Sequence, residues 1–199
     1  MNVTILWLWA VFCGVFIACL SSTPTHSPSN STLSSPELSD GQSQSEGISR
    51  EQTRFGPEEK IDRPVSVAID VLQTLRLDER NKRVLSGEEP ANAIFASWFT
   101  ASEIDLNDDD NRDLVVQGTH PRLLGANLAP FWIFRKTSQG NELVLSVSAL
   151  GLELLNTKTN GYKNILARQA TSIEVRNTSY EFDGHKYQKR HSWVEHIRQ

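Results

Sequence analysis

Apolar positions divide the 199-residue chain into three regimes. Residues 3–20 are almost wholly apolar, and residues 21–59 are dominated by Ser, Thr, Pro, Gln and Glu. Beyond that point apolar residues recur first with helical spacing and then in short alternating runs. Val65, Ala68, Ile69, Leu72 and Leu75 fall on one face at 3.6-residue periodicity, which predicts an amphipathic helix. Asp62 is placed to cap it, and Pro64 sits in the first turn, where a missing N–H costs little. The pattern continues to Val84 and Leu85, with Ser86-Gly87 as a stop and Leu77-Asp78-Glu79-Arg80 as an internal break. Such a face is expected to pack on the molecule's own sheet in preference to a partner.

From Ala93 onward the pattern is that of strands and turns. Short β-rich runs cover Ile94–Thr100, Leu114–Gln117, Phe131–Lys136, Leu143–Ser148 and Leu152–Thr157. Gln139-Gly140-Asn141, Asn160-Gly161 and Asp183-Gly184 punctuate them or their successors, and Asn-Gly and Asp-Gly favour the tight turns of hairpins. Ile173 and Val175 share one parity, Tyr180 and Phe182 the other, so a bulge near Asn177 is expected to restore the register. The sum is an α+β domain over residues 61–193. It is a mostly antiparallel β-meander of about six to eight strands with one or two N-terminal helices packed on it. Within Pro130-Phe131-Trp132-Ile133-Phe134-Arg135, Phe131 and Ile133 face one way and Trp132 and Phe134 the other. Either this strand is buried on both faces, as aromatic filling of a small β core favours, or Trp132 and Phe134 form a recognition surface.

The first twenty residues read as a secretory signal, to be set apart from the fold. No Lys or Arg precedes Arg50, so the usual basic start is reduced to the terminal amine. The run is also long enough to serve as an uncleaved membrane anchor. Phe16-Ile17-Ala18-Cys19 resembles a bacterial lipobox, which implies acylation at Cys19; ordinary cleavage near Leu20 to Ser22 is the alternative. Residues 21–60 are too polar to bury a core and read as a disordered tether. Both cysteines, Cys13 and Cys19, lie in the leading segment, so disulfide and thiol chemistry are not expected in the domain. The expected location is outside the cytoplasm: periplasm, outer-membrane or cell-surface lipoprotein, or secreted.

Charge adds one feature. Six acids and one arginine between Glu103 and Asp113 carry −5, against −4 for the whole chain, which leaves +1 for everything else. In steps of two this stretch offers oxygen ligands at Asp105, Asn107 and Asp109, with a further carboxylate at Asp113. An oxygen-only set suits a hard cation such as Ca²⁺. It is not an EF-hand, because Asp110 and Val116 stand where the sixth-position Gly and twelfth-position Glu belong. A solvated Asp/Asn-rich turn without an ion is the plainer reading.

The run Asp105-x-Asn107-x-Asp109-x-x-x-Asp113 followed by Leu114-Val115-Val116 resembles the calcium loops of FG-GAP and VCBS-type repeats. The resemblance implies that Asp105, Asn107, Asp109 and Asp113 coordinate the ion. It departs from the pattern at Asp110, where Gly is usual and where Asp tolerates a left-handed backbone at some cost. Only one such loop is present, so a multi-bladed propeller is excluded. More widely, Ser97-Trp98-Phe99, Gly151-Leu-Glu-Leu-Leu155, Thr157-Lys-Thr-Asn-Gly-Tyr162 and Tyr180-Glu-Phe-Asp-Gly-His-Lys-Tyr187 resemble a family of small exported bacterial proteins of undefined function. That resemblance implies fold and export, and no activity.

The chain carries no Gly-x-Ser-x-Gly, no His-Glu-x-x-His and no phosphate-cradling glycine loop. His185, His191 and His196 lack the compact spacing of a zinc site, and residues 194–199 read as a solvated basic tail. A nucleic-acid module is not expected. The expectation is therefore a non-catalytic binding module for a protein or glycan, with a structural Ca²⁺ and a membrane tether through its N-terminus. A calcium-dependent secreted hydrolase and an inhibitor of a foreign enzyme are the alternatives.

Overall fold

The computed structural model describes residues 51–85 and 90–196. The leading apolar segment, Cys19 and the tether as far as residue 50 lie outside them, as do residues 197–199. Among the described residues, ten strands form two antiparallel sheets. The strands are β1 (Arg54–Phe55), β2 (Pro64–Val65), β3 (Phe99–Ile104), β4 (Asp113–Gly118) and β5 (Ala129–Thr137). They continue with β6 (Gly140–Ala149), β7 (Gly151–Thr159), β8 (Tyr162–Ala170), β9 (Glu174–Phe182) and β10 (Tyr187–His196). One sheet has the order β2-β3-β4-β5-β6, and the other β1-β7-β8-β9-β10. The chain changes sheet at Leu150. Two short helices, α1 (Ile69–Leu77) and α2 (Glu79–Lys82), precede β3 but follow β1 and β2. The domain is thus mainly β, with a small helical layer.

Period-two alternation in β4 and β5 decides how the layers stack. Val115, Phe131 and Ile133 join Leu152, Leu154, Ile165 and Phe182 of the second sheet in one apolar cluster. Leu114, Val116, Trp132 and Phe134 join Val71, Leu72 and Leu75 of α1, with Trp98 and Phe99, in another. The first sheet is therefore the middle layer, between the helix and the second sheet. Trp132 and Phe134 are fully buried. Their reading as a recognition surface gives way to the core reading, because α1 covers the face they occupy.

The helix begins later than its apolar pattern. Asp62 does not cap it; Pro64 and Val65 instead pair with Ser102 and Ala101 as an edge strand, where proline's missing N–H is tolerated. Ala68 holds the N-terminal boundary in an extended conformation. The expected break at residues 77–80 is real. Asp78 leaves the helical conformation and its side chain accepts the Arg80 N–H at 2.8 Å, capping α2. The same carboxylate accepts the Trp132 indole N–H at 3.0 Å and the Ser146 hydroxyl at 3.0 Å, which pins the break to β5 and β6.

Turn chemistry agrees at Asn160-Gly161, where both residues have positive φ, +49° and +83°. The expected strand from Ile94 starts only at Phe99, because residues 91–93 and 96–98 form single 3₁₀ turns. No bulge occurs at Asn177: β9 runs in unbroken register on β8, and the irregularity lies on β10 between Lys189 and His191. The folded unit is also wider than residues 61–193. Phe55 of β1 pairs with Leu152, and β10 extends through Val194 to His196, into the segment whose composition suggests a tail.

Candidate functional site

The acidic loop joins β3 to β4, and its carboxylates first serve its own backbone. Asp105 Oδ1 accepts the N–H groups of Asn107 (3.2 Å), Asp108 (2.6 Å) and Asp109 (3.3 Å), and Oδ2 accepts that of Asp110 (3.1 Å). Left-handed φ values at Asp108 (+61°) and Asp110 (+63°) accompany this inward turn of successive N–H groups. Asp110 thus adopts the left-handed conformation for which glycine is usual, one that Asp tolerates better than most residues. Asp113 Oδ2 accepts the Leu106 N–H at 3.2 Å and Oδ1 the Lys136 N–H at 2.7 Å. Burial pushes the Asp113 carboxyl up to about 6, against the pull of those two hydrogen bonds, and the charges of Asp109 and Asp105 add to the rise. Asp109 is held below the ordinary carboxylate range by hydrogen bonds from the Asn107 amide and the Asn111 N–H. Asn107 Nδ2 donates to Asp109 at 2.7 Å and to the Tyr162 hydroxyl at 3.3 Å, while its Oδ1 is buried with no donor facing it.

Positive charge reaches the loop from the second sheet. Lys158 and Lys163 both pair with Asp108, the latter at 3.4 Å. Lys163 also bonds Glu51 at 2.8 Å and the Asp105 carbonyl at 2.7 Å, and its backbone N–H donates to the Leu106 carbonyl at 2.7 Å. Glu51 in turn accepts the Asp105 N–H at 2.7 Å and pairs with Arg112 at 3.1 Å. The loop is therefore a joint between the two sheets, with Glu51 and Lys163 as its bolts. Sequence reasoning missed Glu51, Lys158 and Lys163. Two lysines flanking the Asn160-Gly161 turn were a visible signal; Glu51 lay inside a stretch read as tether.

Chemically, the donor set fits a hard cation in part. Among the described residues, no group of three His, Cys, Asp or Glu side chains is disposed to hold a metal ion. Asp105 has the capacity of about four lone-pair sites and accepts four N–H groups, so it has little left to give. Asp109 and Asp113 keep acceptor capacity, and the orphaned Asn107 oxygen calls for a positive partner. At Asp113 burial comes first, and the charges of Asp109 and Asp105 add a smaller repulsion that a cation there would relieve.

Other surface features are shallow. A groove of about 350 Å³ beside the loop is lined by Glu103, Asp110, Arg112 and Lys136 over Val65 and Leu114. Trp98 stacks on His120 with centroids 3.9 Å apart. Among the described residues, no helix is long and apolar enough to cross a membrane. No family model, no characterised protein and no solved structure matches this chain.

Proposed function

We propose that this is an exported envelope protein, lipid-anchored through Cys19 or secreted, that acts as a non-catalytic binding module for a protein or glycan. Its 105–113 loop is organised by Ca²⁺. The observation that carries the reading is the Asn107 oxygen, buried without a donor beside the Asp105, Asp109 and Asp113 carboxylates. Asp109, Asp113 and the Asn107 oxygen would hold the ion, while Asp105 holds the loop backbone around them. When bound, it supplies the positive charge that the cluster lacks at its centre. The ion's role is structural, because the loop already joins the two sheets and its carboxylates cap backbone N–H groups. The groove lined by Asp110 and Lys136 adjoins the same loop, and the Lys136 N–H is bonded to Asp113.

Thermal unfolding of the full chain in millimolar Ca²⁺ and then in EGTA tests this. Binding to the native state raises the midpoint by mass action, about 2.7 kcal/mol of stabilisation at a hundredfold excess over Kd. Asp109→Ala should abolish the calcium increment and cost little in chelator. Superimposable wild-type curves in the two buffers would refute the ion and leave the loop as a self-capped turn.

A further inference from the structure

The last strand, like β6, ends its sheet as a long edge strand. β10 is ten residues long and closes the order β1-β7-β8-β9-β10, so among the described residues its outer edge has no strand beside it. Only Tyr187 among its residues is buried. Half of an edge strand's backbone N–H and C=O groups point away from its neighbour, which makes it a template for another strand.

Two features give this edge a chemical preference. The first is charge. From His185 to His191 the chain holds Lys186, Lys189 and Arg190 with no acid, although the chain as a whole is −4. Glu181 on β9 meets Arg190 at 3.3 Å on the surface, while Lys186 and Lys189 have no ion pair among the described residues. The second is an aromatic anchor at the other end. Trp193 is 42% exposed and Val194 41%, and as consecutive strand residues they lie on opposite faces. The Trp193 indole is fixed, because Glu195 Oε1 accepts both its N–H at 2.9 Å and that of the buried Asn177 amide at 3.0 Å. A large side chain already held in one rotamer loses little entropy on binding.

We infer that β10 is a docking edge for an extended segment of a partner protein, acidic at one end and apolar at the other, which adds to the sheet as a sixth strand. Acids of that segment face Lys186, Lys189 and Arg190, and its apolar residues cover Trp193 and Val194. Lysines on an edge commonly serve to block pairing. Here the same charges repel a second copy of β10 and favour an acidic strand, so one device both excludes and selects. The inference names the partner of the proposed binding module and rests on that reading, but not on its calcium half.

The test uses the full chain and two capped decapeptides. One alternates Glu with Thr in one half and Val with Thr in the other; its control has Lys in place of Glu. Binding is followed by calorimetry, and the site by amide hydrogen exchange, with and without Ca²⁺. The acidic peptide should bind and slow exchange along β10 at least tenfold, while the lysine peptide does neither. Raising the salt should weaken binding, as should the pair Lys186→Glu and Lys189→Glu, by tenfold or more; Trp193→Ala should weaken it separately. No binding at millimolar acidic peptide overturns the inference. So does equal binding of the lysine peptide, protection elsewhere than β10, indifference to charge reversal, or pairing of two chains through β10 in sedimentation. Loss of the calcium shift with peptide binding intact would refute the ion alone.

Discussion

Asp78 is a place where one substitution reaches both helix and sheet. Its carboxylate caps α2 through the Arg80 N–H and also receives the indole N–H of Trp132, a side chain with no exposed surface. Asp78→Ala removes the cap, worth about 1 kcal/mol. It also strands a buried indole donor, which costs about 1–3 kcal/mol. The Ser146 hydroxyl, only partly buried, can turn towards water and adds little. The expected loss is therefore about 2–4 kcal/mol, a large share of the roughly 5–15 kcal/mol typical of a whole domain. Urea unfolding followed by circular dichroism should show the midpoint falling by about 1–2 M, given a slope of about 2 kcal/mol per molar. A double-mutant cycle isolates the cause. In a Trp132→Phe background no donor remains to be stranded, so Asp78→Ala should cost only the cap, leaving a coupling of about 1–3 kcal/mol. Coupling within about 0.5 kcal/mol of zero would show that the indole bond does not hold the helix break to the sheet.

Other outcomes follow from the loop. In chelator, Asp113 ionises in the native chain only near about 6, against 3.8 for its ordinary value. Between those values the native chain binds more protons than the unfolded one, so this group adds stability as pH falls from 7 towards 4, by up to about 3 kcal/mol. Comparing the pH slopes of urea midpoints for wild type and Asp113→Asn reads that contribution free of the other carboxylates; identical slopes would exclude it. Glu51→Ala cuts the bonds from the Asp105 N–H, Arg112 and Lys163 at once. It should cost about 1–3 kcal/mol and speed hydrogen exchange at Asp105, and an unchanged exchange rate there would remove Glu51 from the joint.

The elements that were legible in the sequence are those whose signal is local. The apolar face of α1 and the break at Asp78 are written in spacing and capping chemistry. The Asn160-Gly161 turn is written in the backbone freedom of two residues. The start of α1 was not legible, because Asp62 and Pro64 suit a helix N-terminus and an edge strand equally well, and only pairing with Ser102 and Ala101 decides between them. β10 gave no periodic signal at all. It is exposed on both faces, and its pairing with β9 alone makes it a strand.

The candidate site divides along the same line, and the division bears on what the loop is for. Asp105, Asn107, Asp109 and Asp113 are visible at two- and four-residue spacing, yet nothing in that spacing says which bonds their oxygens have already made. Glu51 approaches from 54 residues away, and Lys158 and Lys163 come from the opposite sheet. These partners serve Asp108 and the loop backbone; Asp113 is met by the Leu106 and Lys136 N–H groups, and the Asn107 oxygen by no donor. What those partners leave is Asp113, hydrogen-bonded at both oxygens yet raised to about 6 by burial, at the joint that Glu51 and Lys163 close between the two sheets.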